Sequence, residues 1–171
     1  VIHGVKIFTP LMLAQNTECH IVNTSSAAGL VAGGGLAPYS ATKHAVVALS
    51  ESMYLSLQQQ NSPVKVSVLC PGLVRTNIFE AERNRPAALR DEPIPMTPEM
   101  QAGVAAFKAI MEAAMSPAKV ADVVFHAIRN EKFYILPHPE WIEAVQLRTE
   151  SLLRLENPQN PSALIAKLVS K

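Results

Sequence analysis

Two cysteines, Cys19 and Cys70, are too few for a disulfide framework in a chain of 171 residues. Both sit at the edges of apolar runs, which suits free buried thiols, and no Cys/His spacing fits a zinc site. Charge of one sign is also missing: 15 Lys and Arg stand against 14 Asp and Glu, without a basic stripe, which argues against nucleic acid as a partner. No apolar run approaches the ~18 residues that suggest a membrane span. The N-terminus lacks the charged region and small-residue cleavage site of a secretory signal. No membrane partner and a cytoplasmic setting are therefore expected. The chain has no initiating methionine either: Val1-Ile2-His3-Gly4 opens inside an apolar pattern, as expected of a piece of a longer protein. No internal repeat is visible.

What is present is an apolar-cored chain, 49% hydrophobic and 17% charged, long enough for one globular domain over residues 1–171. Helical spacing is predicted over 1–14, with Pro10 kinking the helix rather than ending it. A buried strand follows at 20–23, and Gly29 and Gly33 to Gly35 mark a loop. A helix is predicted over 39–60, with Ala45, Val46, Leu49, Met53 and Leu57 as its stripe and Ala41, Ala45 and Ala48 allowing close packing. A second strand spans 64–70 and stops at Pro71-Gly72. Residues 73–97 form a long, Arg- and Pro-bearing connection of the kind that serves as a lid. A helix over 98–115 is expected to turn Met100, Val104, Phe107, Ile110 and Met111 inward. Ser116 caps a further helix opened by Pro117 and running to about 130. A strand at 133–136 and a helix over 138–155, anchored by Trp141 and Leu147, follow before a Pro/Asn-rich tail and a final apolar stretch. Strands alternating with helices imply a parallel α/β sheet.

The chemistry concentrates between Ser26 and Lys43. Tyr39 and Lys43, four residues apart at a helix start, share one face. A cation beside a phenol stabilises the phenolate and makes tyrosine a usable acid or base near neutral pH. Ser26 returns to the same place from the end of the preceding strand. A hydroxyl, a phenol and an ammonium so grouped suit proton transfer at a carbonyl or alcohol oxygen.

The stretch Ile21-Val22-Asn23-Thr24-Ser25-Ser26-Ala27-Ala28-Gly29, then Tyr39-Ser40-Ala41-Thr42-Lys43, resembles the short-chain dehydrogenase/reductase family. Pro71-Gly72-Leu73-Val74-Arg75-Thr76 is similar to that family's Pro-Gly-x-Val-x-Thr motif, and the thirteen residues from Ser26 to Tyr39 match its spacing. The resemblance runs from residue 1 to about 140. It implies a doubly wound, Rossmann-like parallel sheet, NAD or NADP as cofactor, and a small-molecule alcohol or carbonyl as substrate. It makes Tyr39 the general acid/base, Ser26 the group that hydrogen-bonds the substrate oxygen, and Lys43 the holder of the nicotinamide ribose. Tyr39, Lys43, Pro71, Gly72, Val74 and Thr76 are then cofactor-binding, and residues 73–115 carry substrate specificity. It also implies a homodimer or homotetramer packed through the Tyr39 helix and the helix before it.

The family's glycine-rich phosphate turn is absent, as are its Asn-Ala-Gly segment and the residue that separates NAD from NADP. Gly33-Gly34-Gly35 does not replace the turn, since it has no strand-to-helix setting. The chain therefore resembles the C-terminal part, roughly two thirds, of a family member, a partial sheet expected to expose an apolar edge. The competing reading is an inactive fragment that acts through oligomerisation or partner binding alone. Among the other residues, Ser25 is expected to cap backbone groups while Ser26 faces the site, and Asn23 to make structural hydrogen bonds. His20 is expected to face solvent, and His44 to lie at the surface or in the core. His3, His126 and His138 have no metal spacing. Arg83, Arg85 and Arg90 read as a solvated lid face, and Tyr134 and Trp141 as core or interface.

Overall fold

The computed structural model describes residues 1–90 and 95–161, apart from the Phe79 side chain. Asp91 and Glu92 of the expected lid, and the final apolar stretch, lie outside the described residues. The chain divides into two compact units, Val1–Gly72 with the segment from Asp122 onward, and Leu73–Ala121.

The first unit is built on a parallel sheet of three strands, β1 (Cys19–Thr24), β2 (Val64–Leu69) and β3 (Tyr134–Ile135), in that spatial order. Cys19 pairs with Val64 through to Thr24 with Leu69, and Val68 and Leu69 pair with Tyr134 and Ile135. Parallel neighbours need a crossover, which here carries a helix. Helix α1 (Ile2–Gln15) precedes β1 and contains Pro10 without ending there; it stops at Asn16, whose φ of 50° lies in the left-handed region. Helix α2 (Ala37–Gln59) joins β1 to β2. This is the α/β architecture expected.

Successive strand side chains alternate between faces. Val64 and Val66 of β2 pack with Met53 and Leu57 of α2 and with Val5, Met12 and Leu13 of α1. Val68 continues that face, against Val47 and Cys70. Cys70 is 2% exposed, and burial pushes its thiol up to about 11, so it is an inert core group rather than a nucleophile. Among the described residues β1 is an edge strand, beside an apolar groove lined by Val1, Val5, Phe8, Met12, Ile21 and Val22.

Two expectations need correction here. The buried stripe of α2 is Ser40, Val47, Ser50, Met53 and Leu57, while Ala45 is exposed and Val46 and Leu49 are half-buried. Counting apolar residues rotates the stripe because Ser50 is a satisfied buried polar group. Its hydroxyl donates to Val46 O at 2.7 Å and accepts from Asn23 Nδ2 at 3.0 Å. This also gives Asn23 the structural role expected of it. His20 does not face solvent: it lies within β1, its Nε2 2.7 Å from Ser67 Oγ. The Ser67 proton goes to Lys132 O at 2.7 Å, so the imidazole is the donor in that pair. Burial holds the His20 pKa below its ordinary value, with Glu131 opposing.

In the second unit, two short 3-10 segments, Ile78–Asn84 and Ala87–Leu89, lead to α3 (Pro98–Ala113). Helix α4 (Pro117–Arg129) begins there, with Ser116 Oγ accepting from Lys119 N at 3.3 Å, the cap expected. Of the five apolar residues expected to point inward from α3, only Met111 is buried; Met100, Val104, Phe107 and Ile110 are exposed. Periodicity identifies an apolar face without saying what covers it. The remaining helix, α5 (Ile142–Leu153), belongs to the first unit and buries Ala144 and Ser151, while the expected anchors Trp141 and Leu147 are half-buried.

Candidate active site

The three parallel strands end on one side of the sheet, the side where open α/β sheets carry their sites. Ser25-Ser26 follows β1, Pro71-Gly72 follows β2, and His138 follows β3. Backbone bonds tie these ends together: Ser25 N donates to Leu69 O at 2.7 Å, Ala27 N to Pro71 O at 2.8 Å, and Cys70 N to Ile135 O at 2.8 Å.

Ser26 is extended, at φ −167° and ψ 164°, and caps the 3-10 turn Ala27–Gly29. Its Oγ accepts from Ala28 N at 3.2 Å and donates to Pro71 O at 3.5 Å, the weak limit of a hydrogen bond. Ser25 is buried, and its hydroxyl donates to the Lys43 carbonyl at 2.8 Å. The expected division of labour is thus altered: Ser26 is the cap, and Ser25 is a strut from the strand end to α2. Gly29 makes the strut possible. A Cβ there would lie 2.7 Å from Lys43 O and overlap Ser25 Oγ.

Helix α2 has proline in its first two positions, so Tyr39 falls in the first turn. Tyr39 is 46% exposed, and the half-buried Lys43 places its ammonium 5.6 Å from the ring centroid. The one-face geometry read from the spacing is observed. Among the described residues the Tyr39 hydroxyl has no hydrogen-bond partner and the Lys43 ammonium no ion pair. Both remain available to a ligand. His44, one step round the helix, bonds Ser40 O through Nδ1 at 2.9 Å.

The sequence reading missed His138 and Trp141 as site residues. Gly72 N donates to His138 Nδ1 at 3.1 Å, and a Cβ at Gly72 would lie 2.7 Å from Trp141 Nε1. A signal was present in Pro137-His138-Pro139, a stiff run at the carboxyl end of a strand. Val74 and Thr76 belong to the second unit, where Val74 forms a parallel bridge with Met115 and Thr76 is exposed. Arg83 donates to Asn77 O and Glu80 O at 2.9 and 2.8 Å, and Arg90 to Arg85 O at 3.2 Å; all three arginines are exposed, in keeping with a solvated face. A pocket of about 290 Å³ between Val31-Ala32 and α5 includes none of Ser26, Tyr39 and Lys43. Among the described residues no helix is long and apolar enough to cross a membrane.

The family model for short chain dehydrogenase matches residues 1–87, about half of the chain. The chain belongs to the short-chain dehydrogenase family. A CLA biosynthesis dehydrogenase/reductase from Lactiplantibacillus plantarum is 32% identical over 154 residues, 89% of this chain and 54% of that protein. A C alpha-dehydrogenase from a Sphingobium species is 30% identical over 153 residues, 90% of this chain and 48% of the relative. The chain thus spans about half the length of these curated relatives. A crystal structure of a short chain dehydrogenase/reductase from Burkholderia phymatum, in complex with NAD, is 42% identical with a TM-score of 0.82. That likeness covers 94% of this chain and 57% of the other. The parallel sheet and its flanking helices are accordingly the short-chain dehydrogenase fold.

Proposed function

We propose that this chain carries the proton-transfer residues of a NAD- or NADP-dependent oxidoreductase that interconverts an alcohol and a carbonyl. The observation that carries the reading is the tie between the two halves of the motif. Ser25 fastens the strand end bearing Ser26 to the Lys43 carbonyl, within the helix that presents Tyr39. Family membership supports it, as does the NAD bound by the Burkholderia phymatum relative.

The residues present fit the nicotinamide-ribose end of such a cofactor. Lys43 offers its ammonium to ribose hydroxyls, with the Tyr39 phenol beside it. Pro71, Gly72, Val74 and Thr76 take the nicotinamide side by the family motif. Because the Gly72 N–H is committed to His138, contacts to the carboxamide fall to groups beyond it. The bound nicotinamide supplies or receives the hydride. In reduction, Tyr39 Oη gives its proton to the carbonyl oxygen, and in oxidation it takes the proton back. Ser26 hydrogen-bonds the same oxygen by turning its hydroxyl away from Pro71 O, which costs little from a bond of 3.5 Å. Residues 73–115 hold the specificity.

The same reading includes assembly as a homodimer or homotetramer in the cytoplasm. α2 turns Ala41, Ala45 and Ala48 outward, and α1 exposes Ile2, Ile7, Phe8 and Leu11, faces suited to a second copy.

The test is a nicotinamide-absorbance assay with a panel of secondary alcohols and the matching ketones. The expected result is cofactor-dependent turnover with at least one pair, in this chain or in a version extended to its relatives' length. Absence of turnover with both cofactors across the panel, in both versions, contradicts the proposal.

A further inference from the structure

One peptide group, between Pro71 and Gly72, is held at both ends. Its carbonyl accepts from Ala27 N at 2.8 Å and from Ser26 Oγ at 3.5 Å. Its N–H donates to His138 Nδ1 at 3.1 Å. A ring nitrogen that accepts carries no proton, so the imidazole in this arrangement has its proton on Nε2.

The local sequence fixes that ring in place. Pro137 and Pro139 flank His138, and a residue before proline is steered away from the helical region. His138 sits at φ −117° and ψ 79°. Pro139 then opens the 3-10 turn Pro139–Trp141, where its missing N–H costs nothing, and Trp141 N donates back to His138 O at 3.1 Å. The turn brings the indole onto Gly72. A Cβ at that position would be 2.7 Å from Trp141 Nε1 and 3.1 Å from His138 Cγ, so the two rings close on this peptide only because the residue is glycine.

We infer that His138 is a positioning residue for Ser26, acting through the Pro71–Gly72 peptide. A hydrogen bond accepted from one end of an amide polarises its carbonyl at the other end. The carbonyl so strengthened is the one that holds Ala27 N at 2.8 Å, and with it the backbone that carries Ser26. His138 touches no reacting atom. Through the Ala27 anchor it sets where the serine side chain stands, leaving the hydroxyl free to turn from Pro71 O to a substrate oxygen, and it keeps the Gly72 N–H from competing for that oxygen. The inference rests on the role proposed for Ser26.

The test reads the clamp and the chemistry separately. Long-range proton–nitrogen spectra of the full chain should show His138 with a bare Nδ1 and a protonated Nε2. In His138→Ala the Gly72 amide should exchange about tenfold faster than in the wild type after correction for global stability, the loss of one hydrogen bond. His138→Asn, whose Oδ1 reaches the Nδ1 position, should restore protection; His138→Gln, which mimics Nε2, should not. In the active enzyme, His138→Ala should lower kcat about tenfold with cofactor KM changed less than about twofold, and His138→Asn should recover to within about threefold. A proton on Nδ1, or unchanged Gly72 exchange in His138→Ala, overturns the clamp. Equal turnover in the Asn and Gln variants overturns the positioning role. An intact clamp in a wild-type protein that turns over no substrate overturns the catalytic reading and, with it, the assignment to Ser26.

Discussion

Tyr39→Phe is expected to lower kcat about a thousandfold in the active enzyme while cofactor affinity stays within about twofold, because general acid–base catalysis contributes roughly 10²–10⁴-fold. The substitution removes one oxygen and leaves the ring on which the Lys43 ammonium sits, 5.6 Å from the centroid. Tyr39 is 46% exposed and its hydroxyl bonds nothing among the described residues, so folding should be unaffected. The loss should therefore appear in kcat and be insensitive to temperature scans of stability. A Phe variant with turnover within about tenfold of wild type would remove the phenol from the mechanism, whatever the cofactor binding.

The second large effect concerns the scaffold behind the phenol. Gly29→Ala should destabilise the protein by about 3 kcal/mol, near the top of the range for overpacking a filled site. The added methyl meets Lys43 O at 2.7 Å and overlaps Ser25 Oγ, so it cannot enter without breaking the Ser25–Lys43 bond or moving α2. Neither neighbour can yield cheaply, since one is backbone and the other is a buried strut. For a chain of this size the midpoint of thermal unfolding should fall by roughly 6–12 °C. Gly33→Ala is the control: nothing lies within 4 Å of a Cβ there, and the melt should match wild type. Identical melting of the two variants would show that the turn does not press on α2.

The elements that organise this site were legible in the sequence where the signal is local. The β-branched run from Val64, the Ser116 cap with Pro117, and the placement of Tyr39 at a helix start are all decided within a few residues, by sterics and capping chemistry. The i, i+4 relation of Tyr39 and Lys43 needed only helix geometry. What could not be read depends on partners far along the chain. Ser40 and Ser50 look like solvent-facing positions until Asn23 is known to lie across from Ser50. His20 looks exposed until Ser67 and the carbonyl of Lys132 are brought beside it. His138 meets Gly72 across 66 positions of sequence, and neither residue type announces the other. The outward face of α3 illustrates a different limit. Its apolar periodicity suggested an inward stripe, but periodicity measures segregation of side chains and not their burial, and only Met111 of the five is buried.

The central claim is that the Ser26–Tyr39–Lys43 group serves a nicotinamide cofactor. Fluorescence titration with NADH and NADPH bears on it most directly, run on this chain and on a version extended upstream to the length of its relatives. Saturable binding of at least one cofactor by the extended protein is expected, with weaker or absent binding by the present chain and retained binding in the extended Tyr39→Phe variant. An extended, folded protein that binds neither cofactor would contradict it.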